Sequence, residues 1–235
     1  MIMDKEILKR GLFQFNCEVT ELQEKRLEIY SEMLVEWNKK INLTAVTDPA
    51  GISVKHFLDS IIPVIEIPMS KGAEAADVGT GAGFPGMPVK IMRDDLKFTF
   101  IDSLNKRINF LKEVSERLEI NDNKFLHSRA EDAGRAKEYR GKFDYTVSRA
   151  VAPLRILGEY CIPLLKMGGI FMAYKSYDID DEINEAKSII GNIGGKIGDI
   201  KEIKIPDTDI VRKIVLIEKV RETPEQFPRR SNKIK

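Results

Sequence analysis

Only two cysteines, Cys17 and Cys161, and two histidines, His56 and His127, occur among the 235 residues. The cysteines lie far apart and form no CxxC, which argues against a disulfide scaffold and fits a reducing cytoplasmic compartment. No His/Cys spacing resembles a ligand set, so no metal is expected. Long apolar runs are missing too: none approaches the roughly 18 residues of a spanning helix, and no membrane association is expected. The N-terminal MIMDKEILKR is too charged for a secretory h-region. Charge of one sign is also lacking, since 38 Lys and Arg balance 37 Asp and Glu to leave +1. That balance excludes a globally basic coat protein and an acidic tail, and at first sight argues against a nucleic-acid partner. With 43% hydrophobic and 32% charged residues the chain is globular, large enough for one core or a core plus a small appendage.

The first part of the chain is helical in pattern. Residues 4–15 form a short amphipathic segment. Thr20-x-x-Gln23 is a capping box that opens a helix over 20–37, with Leu27, Tyr30, Met33, Leu34 and Trp37 on one face. Asp48-Pro49 opens a third helix, with proline where a first turn tolerates it. After residue 72 the texture alternates. Strands are predicted at 75–79, 97–102, 124–127, 143–148 and 168–175. Helices are predicted at 84–92, 105–118, 131–139, 153–161 and 180–193, the last ended by Gly194-Gly195. Segments 196–205 and 210–219 can pair as an antiparallel hairpin across Pro206-Asp207. This alternation predicts an α/β fold, a mostly parallel sheet with helices on both faces and ligands at the carboxyl ends of its strands. The C-terminal RRSNKIK, with little to bury, is predicted to be a mobile tail.

The segment DVGTGAGFPG (77–86) carries the most information. Four glycines, Gly79, Gly81, Gly83 and Gly86, follow a buried strand and let the backbone approach a ligand. Gly81 to Gly86 matches GxGxxG, the dinucleotide pattern, which is weak alone. Gly79 and Thr80, however, intervene between strand and match, and Asp77 at the strand end would repel a phosphate. Asp77 suits a cationic ligand or an amine. The Asp-x-Gly-x-Gly-x-Gly loop resembles motif I of S-adenosylmethionine methyltransferases, whose cofactor has an ammonium, a sulfonium and no phosphate. Asp102 ends the next strand, where a carboxylate accepts ribose hydroxyls in either cofactor class. Arg129-Ala130-Glu131 follows the third strand.

Taken together, these residues resemble the RsmG family, also known as glucose-inhibited division protein B. Its members are bacterial methyltransferases that modify guanine N7 in small-subunit ribosomal RNA. The matching pieces run through most of the chain. They are Trp37-Asn38-x-x-x-Asn42-Leu-Thr-Ala45, His56-x-x-Asp59-Ser60, the loop 77–86, Asp102-Ser-Leu-Asn-Lys-Arg107, Arg129-Ala-Glu131, Phe143-Asp144, Ser148-Arg-Ala-Val-Ala-Pro-Leu154 and Phe227-Pro-Arg-Arg230. Tyr174-Lys175-Ser176 departs from the family's usual Lys-Gly. The resemblance implies a Rossmann-like methyltransferase fold with a seven-stranded sheet. It implies an N-terminal helical extension (1–46), a methyltransferase domain (47–220) and a basic tail (221–235). It further implies S-adenosylmethionine held by Gly79, Phe84, Asp102, Ala130, Glu131 and Arg149, to which the reading of the glycine loop adds Asp77, Thr80, Gly81 and Gly83. The implied partner is small-subunit ribosomal RNA or the assembled small subunit, met by a cytoplasmic monomer.

The expected chemistry follows from the acceptor. Guanine presents only acceptors, N7 and O6, on its major-groove edge, so a donor at the fourth strand end, Arg149, suits it. N7 carries no proton and needs no general base. His56 and Asp59, spaced along one helix face, are therefore read as braces between the N-terminal helices and the core. Trp37 is read as core. Asn38, Asn42, Arg129, Arg229 and Arg230 are the candidates for RNA contact. A net charge of +1 hides such local arginines, and a single modification needs a basic patch around a pocket, not a basic chain. The open alternatives are a methyltransferase of the same fold acting on a small molecule or protein, and a nucleotide-binding regulatory module without transferase activity.

Overall fold

Alternating side chains along the strands decide the layering. In β1 (Glu74–Val78) Ala75 faces one apolar cluster while Ala76 and Val78 face another. In β5 (Leu165–Lys175) Met172 and Tyr174 join the first cluster while Phe171 and Ala173 join the second. Period-two burial on both faces is the mark of a sheet covered on both sides. The computed structural model describes residues 2–230 and residue 234. Within these residues β1, β2 (Lys97–Asp102), β3 (Lys124–His127), β4 (Phe143–Arg149), β5, β6 (Gly195–Lys204) and β7 (Val211–Lys219) form one sheet. Its order is β3-β2-β1-β4-β5-β7-β6. The strands from β3 to β5 are parallel; β7 is antiparallel to β5 and to β6. The chain runs outward from β1 to β3 and returns to β4, so the order reverses between β1 and β4, where such sheets bind ligands.

One face is covered by α1 (Lys5–Phe13), α2 (Glu21–Ile41), α4 (Asp59–Glu66), α5 (Gly86–Met92) and α6 (Asn105–Arg117), which contribute Leu8, Leu27, Ile61, Met87 and Phe110. The other is covered by α7 (Ala130–Ala133), α8 (Leu154–Cys161) and α9 (Asp180–Ile193), which contribute Ala133, Leu157 and Ile183. Between α2 and α4 lie α3 (Pro49–Gly51), capped by Asp48, and a π-helical stretch, Ile52–Leu58. The Thr20/Gln23 capping box forms as expected, with both reciprocal bonds present. Gly194 ends α9 in the left-handed conformation, and the β6/β7 hairpin pairs as expected.

Some boundaries differ. The helix expected over 131–139 is only the single turn α7, because Gly134 closes it and Ala136 begins further turns. β5 starts at Leu165, three residues earlier than the glycine-based prediction. The tail reading also needs correction. Arg229 is not free: its backbone N–H and Nε donate to Glu159, which is fully buried on α8. Phe227 is buried as well. Residues 231–233 and 235 of the predicted tail lie outside the described residues.

The N-terminal helices share the core of the sheet. Tyr30 of α2 is fully buried, and its hydroxyl donates to the carbonyl of Ala82 in the glycine loop. Gly83 has φ of +101°, and a Cβ there would lie 2.6 Å from the Tyr30 hydroxyl and 2.7 Å from Leu111. The loop is thus clamped from the helical side. Tyr30→Phe leaves the Ala82 carbonyl unpaired and should cost about 1–3 kcal/mol in urea denaturation. An unchanged midpoint would show that the clamp contributes nothing.

Candidate active site

The carboxyl ends of β1 to β4 open onto a cleft of about 470 Å³, within the usual range for small-molecule sites. Its floor is the loop after β1. Asp77 sits beneath that loop, not on the cleft wall. It is fully buried, and its Oδ2 accepts from the Thr80 hydroxyl at 2.8 Å and the Gly86 N–H at 2.9 Å. The expectation that Asp77 meets a cationic ligand therefore gives way to another role: the carboxylate ties the two ends of the glycine loop together. Asp102, at the end of β2, takes the neighbouring position. Its Oδ2 accepts from the Gly81 N–H at 2.9 Å and pairs with Arg107 at 3.3 Å, and its Oδ1 accepts from the Leu104 N–H at 2.9 Å.

The walls come from several elements. Gly79, Thr80, Gly81 and Phe84 line the cleft, and so do Arg129, Ala130, Glu131 and Arg149; Gly83 lies just outside it, against Tyr30. Glu131 is 5% exposed and one of its oxygens has no hydrogen-bond partner among the described residues. Arg129 is largely exposed at the rim and lies 3.8 Å from Glu131. Arg149 ends β4. Its Nη1 donates to Asp59 at 2.8 Å and to the Lys55 carbonyl at 3.3 Å. Asp59 also accepts from Arg212 of β7 at 2.6 and 3.2 Å, so one buried carboxylate joins α4, β4 and β7.

Phe84 stands between two partners. The His56 ring stacks on it at 4.4 Å between centroids, and the Arg149 guanidinium lies 5.3 Å from its centroid. Burial, and then the Arg149 charge, push the His56 imidazole down to about 4, so it is neutral near pH 7. Its Nε2 meets the Thr44 hydroxyl at 2.9 Å. Sequence reasoning placed His56 as a brace; the structure puts it on the cleft wall as well. Leu43, Thr44, Arg107 and Tyr160 are lining residues that it missed. Arg107 could have been found from its place one turn after Asp102. His56 could not, because its place on the cleft wall depends on stacking against Phe84, which is distant in the chain.

The remaining candidates are placed differently. The Asn38 side-chain oxygen accepts from the N–H groups of Leu43 at 2.6 Å and Thr44 at 2.8 Å, so it shapes the turn that presents both to the cleft. Asn42 is the left-handed cap of α2. Trp37 is half-buried against Phe110 at 5.5 Å and donates to Glu113. Arg229 and Arg230 lie outside the cleft lining.

Burial pushes the Asp77 carboxyl up to about 6 from its ordinary 3.8, against the lowering effect of Thr80 and Gly86. The folded state thus holds this proton more tightly than the unfolded chain. The resulting stability is complete below pH 3.8 and is lost as pH rises through 6. Asp77→Asn has no such loss. Its stability relative to wild type should rise between pH 4 and pH 6, by on the order of 3 kcal/mol in chemical denaturation. A pH-independent difference would place the proton elsewhere.

Comparison with known proteins agrees with this geometry. A family model described as rRNA small subunit methyltransferase G (GidB) matches residues 23–211. A protein of Lactobacillus johnsonii named ribosomal RNA small subunit methyltransferase G is 45% identical over 231 residues, covering 97% of each chain. A Clostridium perfringens protein of the same name is 44% identical over 229 residues, covering 97% of this chain and 96% of its own. Among solved structures, a methyltransferase of Haloferax volcanii in complex with the Trm112 activator superposes with a TM-score of 0.61 at 13% identity, over 80% of this chain and 98% of that one. A SAM-dependent methyltransferase from Aquifex aeolicus gives 0.51 at 19% identity, over 68% and 92%. The structural likeness shows the methyltransferase fold. The family model and the full-length relatives show more: the chain belongs to the rRNA small subunit methyltransferase G (GidB) family.

Proposed function

We propose that the protein transfers the methyl group of S-adenosylmethionine to N7 of a guanine in small-subunit ribosomal RNA, acting as a monomer. The observation that carries this reading is the polarity of the cleft. Two carboxylates, Asp102 and Glu131, each with an arginine beside it, line the side formed by β2 and α7, and the Arg149 guanidinium stands at the end of β4.

The residues present fit the cofactor. A Cβ on Gly81, whose φ is +60°, would project into open space, its nearest neighbour being the Gly79 carbonyl at 4.0 Å. The backbone thus leaves room above the loop for a ligand. Asp102 offers a carboxylate suited to ribose hydroxyls. The Glu131 oxygen that makes no hydrogen bond, 3.8 Å from Arg129, can accept from an amino group. When bound, S-adenosylmethionine supplies an electrophilic methyl on a sulfonium. Two carboxylates, Asp77 and Asp102, back the loop and disfavour a pyrophosphate there.

The chain's own contribution is orientation and electrostatics. Arg149 is fixed by Asp59, by the Lys55 carbonyl and by the Phe84 face. With Nη1 committed, its remaining donors can hold guanine O6 or a phosphate while N7 keeps its lone pair free. Neutral His56 adds no charge beside Arg149. Guanine N7 has no proton to remove, so none of these groups acts as a base. Arg107 and Arg129 at the mouth supply positive charge for the RNA backbone.

Arg149→Ala separates these roles, because Asp59 keeps Arg212 as a partner and the fold should survive. Single-turnover methyl transfer should fall at least about 100-fold. Calorimetry should show S-adenosylhomocysteine binding retained within about tenfold and preferred to NAD. Normal transfer by the variant, or preference for NAD, would overturn the reading.

A further inference from the structure

The C-terminal segment is anchored to the back of the cofactor cleft. Contacts made by residues 223–230 converge on α7 and α8. The Arg140 guanidinium donates to the carbonyl of Gly134, where α7 ends, at 2.9 Å, and also to Phe227 at 2.7 Å and Thr223 at 2.7 Å. Arg135, just past α7, donates twice to the Pro228 carbonyl, at 2.9 and 2.5 Å. Pro228 lies against Gly134, where an added Cβ would come within 3.0 Å of its ring. Phe227 packs into the same apolar cluster as Ala133 and Tyr160. Arg229 grips the fully buried Glu159, whose chain neighbour Tyr160 lines the cleft.

α7 needs such help. It has four residues, and a single helical turn is not stable alone, because nucleation fixes several residues for one hydrogen bond. Its first two residues, Ala130 and Glu131, face the cleft. Its last residue and its cap face the C-terminal segment. The position of the cleft wall is therefore set by what packs behind it. Arg229 is poorly suited to act as a free phosphate ligand, since Glu159 already holds it.

We propose that residues 223–230 form a clasp that positions α7, and through it the Ala130–Glu131 wall of the cofactor cleft. The proposal rests on the methyltransferase reading of that cleft. Residues 135, 140, 159 and 229 are positioning residues, because none of them lines the cleft.

The test uses the full-length protein and two variants. The double variant Glu159→Gln/Arg229→Ala removes the ion pair without leaving a buried lone charge. Arg135→Ala cuts the grip on Pro228 at an exposed side chain. Amide hydrogen exchange, calorimetry with S-adenosylhomocysteine, and RNA binding against salt are measured on each. The clasp predicts faster exchange at the amides of 133, 134 and 136, with the amides of β1 and β4 still protected. It predicts about tenfold weaker S-adenosylhomocysteine binding, a melting temperature within a few degrees of wild type, and an unchanged salt slope. If the double variant fails to fold, Arg135→Ala carries the same predictions. Unchanged exchange and cofactor affinity in the folded variants would overturn the clasp. A flatter salt slope with unchanged cofactor affinity would also overturn it and make Arg229 a phosphate contact. If wild type itself fails to bind S-adenosylhomocysteine, the methyltransferase reading falls, and the exchange pattern alone decides the clasp.

Discussion

A buried carboxylate holds the centre of this protein together. Asp77 leaves β1 on the helical face, accepts from Thr80 and Gly86, and so fixes both ends of the glycine loop. Asp102 pulls on the middle of the same loop through Gly81, and Tyr30 pins it from α2 at Ala82. The cleft floor is thus determined by three side chains from three elements. Burying Asp77 has a cost, visible in the upward shift of its carboxyl. That cost is set against a rigid loop whose backbone can stand close to a ligand.

A second carboxylate organises the other side. Asp59 gathers Arg149 and Arg212, and Arg149 then lies over Phe84, with His56 stacked on that ring. These contacts tie α4, the glycine loop, β4 and β7 into one wall. Arg107, Arg129 and Arg149 stand around the cleft, each beside a carboxylate, and surface cations are likewise paired in bridges such as Lys5–Glu28 and Arg10–Asp207. Such exposed pairs add little stability, but they keep nonspecific attraction to RNA low. Recognition then falls to the shape of a folded substrate.

Much of this was legible in the sequence, for physical reasons. Strand and helix periods marked the seven strands, and the capping box and Gly194 marked helix ends, because those signals are local. The loop 77–86 pointed to the cleft because its glycines form the cleft floor. Asp77 was misread because one acid at a strand end can face a ligand or lie beneath the turn, and only packing by Gly86 and Thr80 decides which. His56 was underestimated because its stacking on Phe84 joins segments distant in the chain. The tail was misread because RRSNKIK has one apolar residue, Ile234, and so gives little sign of burial. Arg229 is held by an acid 70 residues away, a contact with no local trace.

The central claim is best tested by mapping the methyl group. Small ribosomal subunits and naked small-subunit RNA, both from cells lacking this enzyme, are incubated with the purified protein and methyl-labelled S-adenosylmethionine. The product is then cleaved chemically at N7-methylguanine. The account predicts label at one guanine N7, with folded or assembled RNA preferred over unstructured RNA. No label on either substrate, or label on another atom or base, would contradict it.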